Sequence, residues 1–281
     1  MALSPLDPAE YRDLVRRALE EDRAAIDVTT HAIVDPSQKA RGRLIAKAPC
    51  TVAGLALAIE AFVQLDAAAV ATIAFNDGDE CPADATIAEV VGRAAALLSA
   101  ERTALNLLQR MSGIATLARA FVRASGGAVT ILDTRKTTPL LRDIEKYAVR
   151  MGGATNHRMS LHDGVLIKDN HIAVAGGITR AVRRIKESAV PLPIEVEVET
   201  LDQVDEALAA GADILLLDNM ATATIAEAVR RSRGRAKTEV SGGVTLDRVA
   251  EIAGCQPDFV SIGALTHSAP AIDISFDIEP A

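Results

Sequence analysis

Six cations, Arg135, Lys136, His157, Arg158, Lys168 and His171, gather between Asp133 and His171, on short segments separated by apolar runs. The chain as a whole carries a net charge of -8, so any anion it binds must be met by local charge and not by the global field. The contrast predicts a pocket for a small, strongly anionic ligand. Arg135 and Arg158 offer planar forks suited to carboxylates, while Lys136 and Lys168 offer point charges suited to phosphates. Lys168, at a strand end, also admits a Schiff-base reading, with Arg158 and Lys136 lowering its pKa by repulsion. So many fixed cations fit several phosphates and carboxylates better than one neutral amine. His157 follows Gly152-Gly153 in a loop, where a lone histidine is more often a surface residue than a ligand.

The acids form a second group. Glu195, Glu197 and Glu199 alternate with Val196 and Val198, which puts all three on one face of a strand. If the valine face packs on helices, the acids point inward, where carboxylates need cations or a metal. An internal ion-pair network accounts for Glu195 and Glu199 equally well, and Glu197, near the strand's end, is the functional candidate. Asp218 closes the apolar run Ile214 to Leu217 and belongs at a rim. Together with Glu197 it could bind sugar hydroxyls, or a hard cation such as Mg²⁺ through water. Read as a glycosidase pair, the two acids leave the cation cluster unexplained. Ser241-Gly242-Gly243 and Gly263 follow two late strands, and glycines there let backbone N–H groups approach a phosphate ahead of a helix.

These residues need a scaffold. After Gly126-Gly127 come six short apolar runs, VTILDTRK, GVLIKDNH, PIEVEVET, DILLLDN, KTEVSGG and DFVSIGA, separated by helical patterns. Repeated βα units imply a parallel sheet. No GxGxxG follows the first strand, as a dinucleotide-binding open sheet would show. Polar residues or glycine close every strand, which is useful when all the ends face the mouth of a barrel. Gly113 to His267 is about 155 residues, short of the usual ~250, so the expectation is an incomplete α/β barrel of about seven strands. Upstream, helix and strand patterns alternate too irregularly for βαβ units and read as an α+β domain. The predicted domains are 1–112, an open-faced α+β domain, and 113–268, the barrel, with the tail 269–281 returning to the first. A long helical pattern from Gly92 is expected to break at Ser112-Gly113. Arg102, within that pattern beside Glu101, reads as a surface charge.

Composition narrows the classes. Aromatic residues are 2%, which leaves no base-stacking platform, and the acidic balance gives no footprint for nucleic acid. Cys50, Cys81 and Cys255 form no C-x-x-C pair and fit a reducing compartment. The N-terminal stretch lacks the apolar core of a signal peptide. The most apolar region, Cys50 to Phe75, is broken by Glu60 and Asp66, so no membrane span is expected. A soluble cytoplasmic protein is the expectation.

SAERTALNLLQRMSGIAT, DTRKTTP, EKYAVRMGGATNHRMSLHDGVLIKDNHI, EVEVET, LLLDN, SGG and IGALTHS together closely resemble the quinolinate phosphoribosyltransferase family, over nearly the whole chain. The resemblance implies an open-faced N-terminal domain with a seven-stranded incomplete barrel. The implied reaction joins quinolinate to 5-phosphoribosyl 1-pyrophosphate with decarboxylation, giving nicotinate mononucleotide, pyrophosphate and carbon dioxide in de novo NAD biosynthesis, with Mg²⁺. It further implies that Thr134, Arg135, His157, Arg158 and Lys168 line the quinolinate pocket, with Lys136 and Lys168 toward the pyrophosphate. Glu197 and Asp218 would hold the ribose hydroxyls and the Mg²⁺-bound substrate; Ser241, Gly242, Gly243 and the Ile262-Gly263-Ala264 turn would cradle the 5-phosphate. Lys136, Lys168, Glu197 and Asp218 are the implied catalytic residues. Arg102 would reach the quinolinate of a neighbouring subunit, making a homodimer the minimal active unit, with a hexamer as the larger form.

Some positions depart from that family's pattern. Arg23-Ala24-Ala25-Ile26 replaces a Leu-Gly-x-Gly stretch, and Leu140, Ala154 and Ser160 stand where glycines are common. A same-fold enzyme acting on another base such as nicotinate predicts a disrupted HR or KDNH motif, and a silent phosphate-binding subunit predicts loss of Glu197, Asp218 or Lys168. All of these are intact.

Overall fold

A computed structural model describes residues 6–281. Residues 1–5, which open the predicted first domain and the stretch read for a signal peptide, lie outside the described residues. The chain forms two compact units. The first comprises the chain up to Arg119 with Thr138–Gly153 and Leu265–Ala281; the second is Ala120–Thr137 with Ala154–Ala264.

The first unit is built on a four-stranded antiparallel sheet in the order Ile274–Pro280, Lys39–Ala46, Thr86–Arg93, Val70–Ile73. The sequence of Lys39–Ala46 shows why it is a strand: Ala40, Leu44 and Ala46 are buried on one face while Lys39 and Arg41 are exposed on the other. The C-terminal tail pairs with it residue for residue from Ala40↔Pro280 to Ala46↔Ile274. Helix Leu55–Leu65 buries Leu57, Ala58, Ala61 and Phe62, and Phe62 stacks on Phe276 of the tail strand with ring centroids 5.2 Å apart. Asp77 caps this helix, accepting from the N–H groups of Gly54 (3.0 Å) and Leu55 (3.1 Å).

The expected break at Ser112-Gly113 does not occur. Helix Ala94–Ala124 runs unbroken for 31 residues. Both residues answer tertiary demands: the buried Ser112 hydroxyl accepts from the Ala53 N–H at 3.2 Å, and a Cβ at Gly113 would overlap the Pro270 carbonyl oxygen. Close packing against the Pro270 backbone offsets the ~0.5–1 kcal/mol that a mid-helix glycine costs.

Two of the departures noted above carry strain. Leu140 has φ +68° and Arg23 φ +52°, a region that disfavours side chains with a Cβ, whereas Ala154 and Ser160 have no positive φ. Leu140 is also 82% exposed, so its side chain gives little packing in return. Leu140→Gly is therefore expected to raise unfolding stability by about 0.5–1 kcal/mol, seen as a higher urea midpoint at unchanged slope. An unchanged midpoint would contradict the strain.

The second unit holds six parallel strands: β1 (Thr130–Leu132), β2 (Val165–Ile167), β3 (Ile194–Val198), β4 (Ile214–Asp218), β5 (Lys237–Ser241) and β6 (Phe259–Ser261). Their order is 1-6-5-4-3-2. Every consecutive pair is bonded except β1 and β2, and β6 pairs with β1. That is a barrel opened along one seam. Beside β1, Thr155 makes a single parallel bridge with Leu132, all that stands in the place of a seventh strand.

Register assigns the faces. Val196 and Val198 of β3 are level with Leu215 and Leu217 of β4, and Leu217 with Val240 of β5; all five are buried at 0–1% exposure on the face that packs on helices. The opposite face carries Glu195 and Glu197 of β3, Leu216 and Asp218 of β4, and Glu239 and Ser241 of β5. A slip of one residue would exchange the two rows. Since burying one Val or Leu is worth ~1.5–3 kcal/mol, the apolar row holds the polar row in register. No helix among the described residues is long and apolar enough to cross a membrane.

Candidate active site

The inward row and the strand ends bring the candidate groups together in the second unit. Lys168 follows β2, and its Nζ lies 3.2 Å from Glu197 Oε2 on the neighbouring strand. That oxygen is buried and accepts no hydrogen bond of good geometry, so the contact is one of charge and leaves the carboxylate capacity for a ligand. The Lys168 N–H donates to His171 Nδ1 at 3.0 Å, which fixes the start of helix Asp169–Ala175.

The loop after Thr155 is held from below by acids. Asp133, fully buried, accepts from the His157 N–H (2.8 Å) and from Asn156 Nδ2 (2.6 Å). His157 Nε2 faces two carboxylates, Glu195 Oε2 at 3.4 Å and Glu239 Oε2 at 3.2 Å. Burial opposes charging of the ring, but hydrogen bonds to Glu195 and Glu239, and then their charge, push its pKa up to about 10. The Arg158 N–H donates to Nδ1 at 2.7 Å; an acceptor there needs a bare nitrogen, which holds the ring proton on Nε2 and works against a second proton. Burial also raises the Glu195 pKa, against the pull of His157.

Arg158 Nη1 donates to the Gly164 carbonyl at 3.1 Å, and burial lowers the pKa of its guanidinium. Arg135 Nε is buried without a hydrogen-bond partner. Arg135, Arg158, Lys168 and His171 line one cavity of about 1080 Å³ with the apolar residues of β2, room enough for a small anionic ring. Thr134 is half-buried and its Oγ1 accepts from the Lys136 N–H at 3.1 Å; the Lys136 side chain is exposed.

On the other side, Asp218 Oδ2 accepts from Asn219 Nδ2 at 2.6 Å, and the Asn219 N–H reaches the Ser241 carbonyl at 3.0 Å. Gly242 and Gly243 have φ +88° and +57°. A Cβ on Gly242 would overlap Asn219 Oδ1 and come within 2.8 Å of its backbone nitrogen. The turn before helix Leu246–Gly254 is therefore bare backbone by necessity. Ile262 follows β6 with its N–H on the Leu132 carbonyl (2.9 Å), and Gly263 and Ala264 stand half-buried beside it.

Arg102, expected to serve a neighbouring copy, is exposed on the long helix. One acid expected on the inward row does not join it. Glu199 does not extend the inward row: β3 ends at Val198, Glu199 is exposed, and its N–H donates to Gln203 Oε1 at 2.7 Å as the next helix begins. Glu239 and Asp133 were not singled out from the sequence. Glu239 is a lone acid in the strand KTEVS and lacks the alternation that marks Glu195.

The C-terminal domain model of quinolinate phosphoribosyl transferase matches residues 114–277, and the N-terminal domain model matches residues 27–112. The chain belongs to this family. It is similar to the probable nicotinate-nucleotide pyrophosphorylase [carboxylating] of Bacillus subtilis, at 42% identity over 96% of this chain and 93% of that one. The nicotinate-nucleotide pyrophosphorylase [carboxylating] of Mycobacterium leprae is 41% identical over 95% and 96%. Among solved structures, the nicotinate-nucleotide pyrophosphorylase of Francisella tularensis superposes with a TM-score of 0.94 at 38% identity, covering 99% of both chains.

Proposed function

We propose that this quinolinate phosphoribosyl transferase joins quinolinate to 5-phosphoribosyl 1-pyrophosphate with loss of carbon dioxide, giving nicotinate mononucleotide for de novo NAD synthesis. The observation that carries the reading is the 3.2 Å contact of Lys168, which lines the cation cavity, with Glu197 on the neighbouring strand. Arg135 and Arg158 would take the two carboxylates of quinolinate and aim the pyridine nitrogen at the ribose carbon. As the N–C bond forms, the bond to pyrophosphate breaks, and the ribose becomes positively charged. Glu197 and Asp218 stabilise that charge and hold the ribose hydroxyls, while Lys136 and Lys168 receive the departing pyrophosphate. The quaternary ring nitrogen then accepts the electron pair left when the adjacent carboxylate departs, and a proton takes its place on carbon.

Magnesium, when bound with the sugar pyrophosphate, would add neutralisation of the leaving group. Glu197 and Asp218, on neighbouring strands, would offer such an ion hard oxygen donors; Glu197 Oε2 accepts no hydrogen bond, and its charge contact is Lys168 at 3.2 Å. On the same reading the protein is a cytoplasmic homodimer in which Arg102 reaches the quinolinate of the neighbouring copy.

The glycine turn makes a separate prediction. Gly242→Ala is expected to raise the KM for phosphoribosyl pyrophosphate ~10–100-fold, equivalent to ~1–3 kcal/mol of overpacking, with the KM for quinolinate unchanged. Equal effects on both substrates would remove Gly242 from the phosphate cradle. The function itself is tested by offering quinolinate and nicotinate as alternative acceptors with phosphoribosyl pyrophosphate and Mg²⁺. Product from quinolinate is expected; product from nicotinate alone would refute the assignment.

A further inference from the structure

Glu195 and Glu239 stand on β3 and β5, with β4 between them. Their register partners on β4, Ile214 and Leu216, offer them no polar contact. Both acids are almost completely buried, at 4% and 3% exposure. Two carboxylates over an apolar floor are costly unless a donor enters between them. That donor is the Nε2 of His157, 3.4 and 3.2 Å from the two acids.

The opposite edge of the ring is equally committed. Nδ1 accepts the backbone N–H of Arg158, and Asp133 holds the N–H of His157 itself. Both ring nitrogens are thus engaged within the protein. The ring is a strut, running from two buried acids to the backbone of the residue whose guanidinium lines the cation cavity.

We propose that Glu239 is a positioning residue for quinolinate: with Glu195 it grips the His157 ring, and the ring sets the backbone of Arg158 and hence the aim of its guanidinium. The inference rests on the quinolinate reading given above. Glu239 does not touch the substrate in this account; it acts through His157. The ribose acids have contacts of their own, Asp218 with Asn219 and Glu197 with Lys168, so the effect is expected to fall mainly on quinolinate.

The test compares wild-type protein with Glu239→Ala and Glu239→Gln in steady-state assays that vary each substrate in turn. Misplacing a carboxylate clamp by about 1 Å costs on the order of 10²-fold, so Glu239→Ala is expected to raise the quinolinate KM ~30-fold or more, with the KM for phosphoribosyl pyrophosphate within about twofold. Glu239→Gln keeps an acceptor oxygen and is expected to recover most of the loss, leaving a rise of ~3–10-fold. A purely structural role would move both KM values together. An unchanged quinolinate KM in Glu239→Ala, or equal shifts for both substrates, overturns the proposal. Should the alanine variant fail to fold, the glutamine variant decides by the same split, and an unmoved quinolinate KM there overturns it equally. Wild-type protein without turnover on quinolinate would instead bring down the functional reading and this inference with it.

Discussion

Arg158→Ala is expected to lower kcat/KM for quinolinate by roughly 10²–10⁴-fold while the protein remains folded. A charge-assisted hydrogen bond contributes ~1.5–3 kcal/mol, and a guanidinium fork on a carboxylate makes two of them. Inside the protein its guanidinium makes one hydrogen bond, to the Gly164 carbonyl, so truncation removes little that holds the loop. The loop's own supports, Asp133 on the His157 N–H and the backbone N–H of Arg158 on Nδ1, do not need the side chain. Steady-state kinetics beside a thermal melt check this. Near-native turnover would mean that the cavity lined by Arg135, Arg158 and Lys168 is not where the pyridine binds.

Glu197→Gln is expected to act on the chemical step instead. A carboxylate beside the developing ribose cation contributes in the transition state and much less in the ground state, so its removal should lower kcat ~10²–10³-fold. Affinity for quinolinate should stay within about twofold, because the acid does not contact that ring. Lys168 complicates the reading, since its ammonium loses a partner 3.2 Å away. Binding and turnover measured side by side separate the two effects. A displaced Lys168, which lines the cation cavity, would weaken quinolinate binding; a loss confined to kcat leaves the acid its catalytic part.

The barrel was readable because each strand is short, apolar and closed by a polar residue or glycine, a pattern that depends on local periodicity. The open seam was signalled only by length. The failures share one cause. Ser112 and Gly113 look like a helix break until Ala53 and Pro270 are seen to demand them. Glu199 continues a period of two on paper, but the strand has already ended and Gln203 has claimed its N–H. Glu239 is one acid in a strand, and nothing in KTEV reveals that a histidine from a distant loop reaches it. Leu140 shows the reverse, since its departure from a glycine pattern was visible in the sequence and only its φ of +68° gave it a cost.

The central claim, that the cavity binds quinolinate for phosphoribosyl transfer coupled to decarboxylation, is tested most directly with quinolinate labelled in the carboxylate next to the ring nitrogen. Incubated with the protein and Mg²⁺, the label should leave as carbon dioxide only when phosphoribosyl pyrophosphate is added, one molecule for each nicotinate mononucleotide formed. Label retained in the nucleotide, or released without the sugar donor, would contradict it.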